Sequence, residues 1–259
     1  MAQELVLYDI PTDGIGALSS NTWKTRYALN YKGIPFRTEW VEMSDIASTC
    51  KKIGAAPTAP PGGPLPEYTV PVIVDPNTGA VVSDSILIAA YLDATYPDRP
   101  RILPEGTTAL QRVFADDFGT KVTQPLIQWT SLTAMRVFTK RTVEYIRRTR
   151  EPLLGMSFEA FFTPERADQG RKAAIEGLGH FAEALEQQEK ATGKTSTFVM
   201  GDTPSHADFV VAGQLMFLRK AYKNGWEEVR TLHGGRWSKL VAALVAWEGE
   251  DTKLVAAPP

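Results

Sequence analysis

Apolar and polar positions change their rhythm along the chain. Leu5-Val6-Leu7-Tyr8 is a continuous apolar run of strand length. A loop with Pro11, Gly14 and Gly16 follows. Then Trp23, Tyr27 and Tyr31 recur every fourth residue, which places them on one face of a helix. Ser19 or Ser20 stands where the N-cap of that helix belongs, because a side-chain oxygen there accepts from free backbone N–H groups. Residues 33–35, Gly-Ile-Pro, end the helix, and residues 36–41 predict a second strand. Residues 43–53 predict a short helix and loop. Residues 70–75, VPVIVD, predict a strand that starts at a proline. Pro76-Asn77-Thr78-Gly79 is a turn, and residues 80–82 are the hairpin partner. Ser83-Asp84-Ser85 caps a helix that runs to about Tyr96, where Pro97 stops it.

Beyond residue 105 the period is helical throughout. Leu110, Val113, Phe114 and Phe118 open a long helix that Pro125 kinks or divides. Residues 132–150 predict a second helix, with Arg147-Arg148-Thr149-Arg150 read as a solvated last turn complementing the helix dipole. Residues 164–189 predict a third helix, with Leu178, Phe181, Ala182 and Leu185 on one face. Ser205 and Asp208 fit a capping box, and Val210, Val211, Gln214, Leu215, Leu218 and Tyr222 follow at helical spacing. A last helix covers about 237–247. The expected organisation is an α/β domain over residues 1–98 and an all-α domain over 106–259.

Charge and composition narrow the function classes. With 28 Lys plus Arg against 30 Asp plus Glu, the net charge of -2 gives no electrostatic case for nucleic acid. No run of 18 apolar residues predicts a membrane span. The first residues lack the basic start and apolar run of a signal peptide, so a cytoplasmic location is expected. Cys50 is the single cysteine, which forbids an internal disulfide and reads as a loop thiol. His180, His206 and His233 are not at metal-ligand spacing, and no metal is expected.

Candidate chemistry concentrates near the first helix. A strand, a loop and a hydroxyl at a helix N-terminus suit an anionic ligand, since free N–H groups and the dipole favour negative charge. Gly14-x-Gly16-x-x-Ser19 mimics a dinucleotide fingerprint, with Glu39 about 20 residues on. The third glycine is missing and no further βαβ units follow, which argues against it. A strand that begins Val70-Pro71 inside a small sheet calls for a cis peptide bond, because proline donates no ladder bond. Residues 54–66 hold five prolines and three glycines and form a long loop.

Ser19-x-Asn21-x-Trp23-Lys24-x-Arg26 after the first strand, Val70-Pro71 before the third, Asp84-Ser85 opening the next helix, and Ser205-x-x-Asp208 together resemble the glutathione transferase family. The resemblance spans nearly the whole chain. The segments TWKTRYALNYKGIPF and TEWVE are most similar to a fungal, serine-type class related to bacterial β-etherases. It implies a thioredoxin-like N-terminal domain, a helical C-terminal domain and a homodimer. Glutathione is then the co-substrate, held by Val70 beside a cis Pro71 and by Asp84 and Ser85, while Ser205 and Asp208 are structural. Ser19 matches the serine that stabilises the glutathione thiolate. Ser20 takes the place of the proline that commonly follows, so it stays the alternative donor. Tyr8 ends the strand where tyrosine-type members carry their activating residue, and it also reads as a pocket-lining side chain.

A hydroxyl needs to do little there. A downward thiol shift of one to two units takes about 1.4–2.7 kcal/mol of differential stabilisation, within reach of a charge-assisted hydrogen bond and a helix terminus. The resemblance implies thiolate attack on hydrophobic aromatic electrophiles, with aryl ether cleavage as one form. Tyr8, Phe114, Phe118 and Trp129 are the candidates for lining the co-substrate pocket. The alternatives are a polyphenol-binding protein with little turnover and a regulatory protein that uses the fold as an interaction surface.

Overall fold

Residues 3–63 and 66–249 are described by the structure, a computed structural model. Pro64 and Leu65 of the proline-rich loop, and the outer ends of the two expected domains, lie outside the described residues. The N-terminal unit runs β1 (Leu5–Asp9), α1 (Ser20–Lys32), β2 (Phe36–Trp40), α2 (Ile46–Ile53), β3 (Val72–Asp75), β4 (Ala80–Ser83) and α3 (Ser85–Thr95). The sheet order is β2-β1-β3-β4. β1 pairs parallel with β2, Leu5 opposite Phe36, and antiparallel with β3, Leu7 opposite Ile73. β3 and β4 form the expected hairpin. This mixed sheet with helices is the thioredoxin-like arrangement. The Val70–Pro71 peptide is cis.

The apolar face read from the sequence of α1 is buried. Trp23 and Tyr27 are in the core, Tyr27 stacks on Phe209, and Tyr31 meets Phe209 and Trp247 edge-on. Arg26 is also buried, paired with Asp9 at 3.2 Å and with the Thr38 hydroxyl at 3.1 Å. It ties α1 to β1 and β2. Desolvation of Asp9 outweighs the Arg26 charge and pushes its pKa up to about 6.

The C-terminal unit is all helical: α4 (Thr108–Phe118), α5 (Gln124–Ala134), α6 (Lys140–Leu154), α7 (Phe158–Phe161), α8 (Pro164–Thr192), α9 (His206–Ala221), α10 (Lys223–Val229) and α11 (Leu232–Leu244). Residues 119–123 form one π turn between α4 and α5. Pro125 explains its place, since it has no N–H to give to the Lys121 carbonyl. Gly170, Ala174 and Gly177 lie along one seam of α8 that packs on this turn and on α5. Among the described residues, no helix is long and apolar enough to cross a membrane.

The structure breaks the helix expected over 132–150. α5 stops at Ala134, and Phe138 makes an antiparallel bridge to Thr12. Thr139 then caps α6 by accepting from the Thr142 N–H at 3.2 Å. The pattern carried no warning, because Met135, Val137 and Phe138 within the break are apolar like the helix positions before it. α6 is anchored to the N-terminal unit: the Glu42 carboxylate accepts from the Thr139 and Thr142 hydroxyls at 2.7 Å each, and Arg141 reaches Asp45 at 2.8 Å. α6 also runs on to Leu154, so the basic cluster lies inside the helix and not in its last turn.

The capping box is present at α9. The Asp208 carboxylate accepts from the Ser205 N–H at 2.8 Å, the Ser205 hydroxyl at 2.9 Å and the Val199 N–H at 2.8 Å. All of these groups sit in or beside the core.

Candidate active site

The first turn of α1 separates two cavities. Ser19 and Ser20 line an apolar one of about 450 Å³. Asn21, the next residue, and Lys24, one turn on, line a smaller polar one of about 230 Å³, together with Val70, Pro71, Asp84 and Ser85. The motif read from the sequence therefore divides by side: its serine faces apolar space, its Asn and Lys face polar space, and its Trp and Arg enter the core.

Ser19 is the N-cap and Ser20 the first helical residue. Ser19 Oγ accepts from the Thr22 N–H at 3.3 Å and from the Thr22 hydroxyl at 3.1 Å. Both contacts use Ser19 Oγ as acceptor, and its hydroxyl hydrogen is committed to no acceptor among the described residues. The preceding loop is held still, because the Ala17 carbonyl accepts from Trp23 Nε1 at 3.0 Å and from Lys220 Nζ at 3.2 Å. Gly213 of α9 lies so close that a Cβ there would sit 2.7 Å from the Ser20 carbonyl oxygen.

The polar cavity suits a ligand with both an amine and carboxylates. Asp84 is a non-glycine residue at φ 76°, an uncommon conformation that persists only where its surroundings hold it. Its Oδ1 caps α3, accepting from the Ile86 N–H at 3.0 Å and the Leu87 N–H at 3.3 Å. Arg112 approaches both carboxylate oxygens at 3.5 Å. Val70 lies past Val72, the last β3 residue paired with β1, so that ladder does not claim its N–H and C=O. Protein crowds the Lys24 ammonium although solvent reaches part of the side chain. That desolvation, ahead of the attraction of Asp84, brings its pKa down to about 8.

His206 is the residue that sequence reading missed. It lines the polar cavity, is 1 % exposed, and neither ring nitrogen has a hydrogen-bond partner. Burial first, then the charges of Lys24 and Arg112, pull its pKa down to about 3. Such a histidine is neutral when folded and takes up a proton on unfolding below its ordinary value. Its contribution to stability is therefore complete above about pH 6.5 and is lost as pH falls toward 3. Between pH 8 and pH 5, wild type is expected to lose about 2 kcal/mol more unfolding free energy than His206→Phe, read by urea titration. Equal pH dependence of the two proteins would refute the neutral, buried state.

The structure corrects the expected pocket lining. Tyr8, Phe114, Phe118 and Trp129 are all absent from the wall of the apolar cavity. Phe114 and Phe118 pack on Phe181 inside the helical unit, and Trp129 meets Tyr222 edge-on. Helical spacing put Phe114, Phe118 and Trp129 on a helix face, but what covers that face is Phe181 of α8 and Tyr222 after α9. Tyr8 lines a separate polar cavity with Glu39 and Glu42, where burial and then Glu39 raise its pKa. The rings on the wall are instead Phe138, Phe158, Phe162 and Phe217. Phe138 gets there through the break between α5 and α6, which the sequence did not disclose. Among the described residues, no group of three or more His, Cys, Asp and Glu is placed to hold a metal ion.

The chain matches known proteins over most of its length. Residues 18–95 match the family model for a glutathione S-transferase N-terminal domain, and 109–247 that for a glutathione S-transferase C-terminal domain. The glutathione S-transferase-like protein ustS of Aspergillus flavus is 28% identical over 247 residues, covering 90% of this chain and 87% of that protein. The crystal structure of glutathione transferase GSTFuA3 from Phanerochaete chrysosporium is 38% identical, with a TM-score of 0.88 over 97% of this chain and 100% of that one. The glutathione S-transferase CsGST63524 of Ceriporiopsis subvermispora, solved in complex with glutathione, is 36% identical, with a TM-score of 0.88 and the same coverage.

Proposed function

The chain belongs to the glutathione S-transferase family, and on that premise we propose that it is a serine-type transferase acting on hydrophobic aromatic electrophiles. The observation that carries this reading is the division at α1. A hydroxyl with a free hydrogen borders apolar space, and the next turn borders a polar cavity holding Asp84 and Ser85.

The fit to glutathione follows from the donors present. Asp84 faces the γ-glutamyl amine, and the Ser85 N–H and hydroxyl face its carboxylate. The Val70 backbone, beside cis Pro71, pairs with the cysteinyl peptide. Lys24, Arg112 and the unpartnered His206 leave the cavity rich in donors for a second carboxylate. Glutathione supplies the sulfur nucleophile; a carbon–sulfur bond forms and the leaving group, a phenolate in aryl ether cleavage, departs with its electron pair. Ser19 donates to the thiolate, and the α1 N-terminus favours its negative charge. A donor aimed at the charged form lowers the thiol pKa without taking the proton itself. The apolar walls hold the electrophile and keep water out.

Residues 1–98 are the proposed glutathione-binding domain and 106–259 the domain that supplies the co-substrate wall. We take the protein to work as a cytoplasmic homodimer of the fungal, etherase-related type. The size and apolar lining of the cavity equally favour non-catalytic binding of polyphenols, which can coexist with turnover. Calorimetry with glutathione and with S-hexylglutathione tests the reading. Micromolar to low-millimolar binding of either is expected, and binding of neither would end it. Displacement of a polyphenol by S-hexylglutathione would place both in one cleft.

A further inference from the structure

The apolar cavity carries a single ionisable group among its described lining residues, Arg150. It sits on α6 between Ile146 and Leu154, one turn from each, and all three face the cavity. The Arg150 side chain makes no hydrogen bond or ion pair among the described residues. The reason is local. Arg147, one turn earlier, holds both nearby carboxylates, bonding Glu151 at 3.0 Å and pairing with Glu159. Two of the polar wall groups are spent as well: the Thr130 hydroxyl donates to the Leu126 carbonyl at 2.7 Å, and the Ser131 hydroxyl to the Ile127 carbonyl at 2.5 Å. Arg150 thus lines apolar space with no counter-charge paired to it, on a helix whose start is fixed to the N-terminal unit by Glu42 and Asp45.

A planar guanidinium fork matches a carboxylate by two parallel hydrogen bonds, and low surrounding polarity strengthens the match. We propose that Arg150 sets the co-substrate class: a conjugated aromatic carboxylate, with its carboxylate on Arg150 and its apolar body along Phe138 and Phe158 toward Ser19. This deepens the transferase reading and rests on it for the catalytic consequence, while the binding preference can be measured alone.

The competing account is that the Arg150 stem simply covers apolar surface. Methionine keeps that stem and removes the charge, so Arg150→Met separates the two. The intact chain is titrated with cinnamate and with its uncharged analogue cinnamyl alcohol by calorimetry at pH 7. Wild type is expected to bind cinnamate about tenfold more tightly, the size of one charge-assisted contact. The preference should shrink at high salt, vanish in Arg150→Met through loss of cinnamate affinity, and survive in part in Arg150→Lys. No preference in wild type, or a preference that persists in Arg150→Met, would overturn the assignment. Glutathione is titrated into the same samples. If it fails to bind while the cinnamate preference stands, the transferase reading falls and Arg150 keeps only the carboxylate-binding part of its assignment. If glutathione binds and the preference is missing, only the Arg150 assignment falls.

Discussion

Ser19→Ala is expected to lower kcat for conjugation about 100-fold, or ~2.7 kcal/mol, while S-hexylglutathione binds within about twofold of wild type. In the proposed role the hydroxyl donates to a charge that exists on the thiolate and not on an alkylated sulfur, so its loss falls on the ionised state. A thiolate absorbance titration of the bound complex should show the thiol pKa rising by one to two units in the variant. Losing the cap also costs about 1 kcal/mol of stability, which circular dichroism on heating would report separately. Ser20→Ala is the necessary partner experiment. Ser20 shares the cavity wall but not the Thr22 contacts that engage the Ser19 acceptor sites. A large loss in Ser20→Ala alone would move the donor by one residue. Full activity in both variants would remove serine-assisted ionisation.

Gly177→Ala is expected to lower the unfolding free energy by about 3 kcal/mol. A Cβ at Gly177 would lie 2.1 Å from the Lys121 carbonyl oxygen and 2.8 Å from its carbon. Those are backbone atoms of the π turn, so no rotamer change relieves the clash and α8 must shift. Gly179 is the control on the same helix. There a Cβ would first meet His233 ring atoms at 3.5 Å, an ordinary contact. Gly179→Ala should be neutral, or stabilise by up to about 1 kcal/mol through helix propensity. Urea titrations of the two variants decide it: equal effects would mean that the α8 seam yields, and that the close approach does not constrain the fold.

Local signals carried far in this chain. The N-cap serine, the Trp23–Tyr27–Tyr31 face, the β-hairpin turn, the helix opened by Asp84 and the capping box at Ser205 and Asp208 each depend on residues within a few positions of one another. The period of two or of 3.6, and the chemistry of caps and turns, therefore reveal them without any partner. The cis bond before Pro71 was legible for a related reason, since a proline opening an inner strand needs a special backbone to avoid a missing ladder bond. The α/β half followed by an all-helical half came from the same periodicities, and the proposal of a ligand at the serine came from its place after a short strand.

The tertiary structure decided what depends on where faces meet. Period alone put Phe114, Phe118 and Trp129 on a helix face, yet whether that face meets a cavity or another helix is set by the crossing of α8, which two glycines allow. Phe138 reached the cavity because the chain broke at a bridge to Thr12, a contact across more than a hundred residues. His206 became a neutral group because burial stripped its ring of water and of partners, and Lys24 and Arg112 add their charge from α1 and α4. Arg147 and Arg150, alike in sequence, diverged when one found two carboxylates and the other found apolar space. Burial and pairing belong to distant residues brought together, and a reading along the chain holds only the near ones.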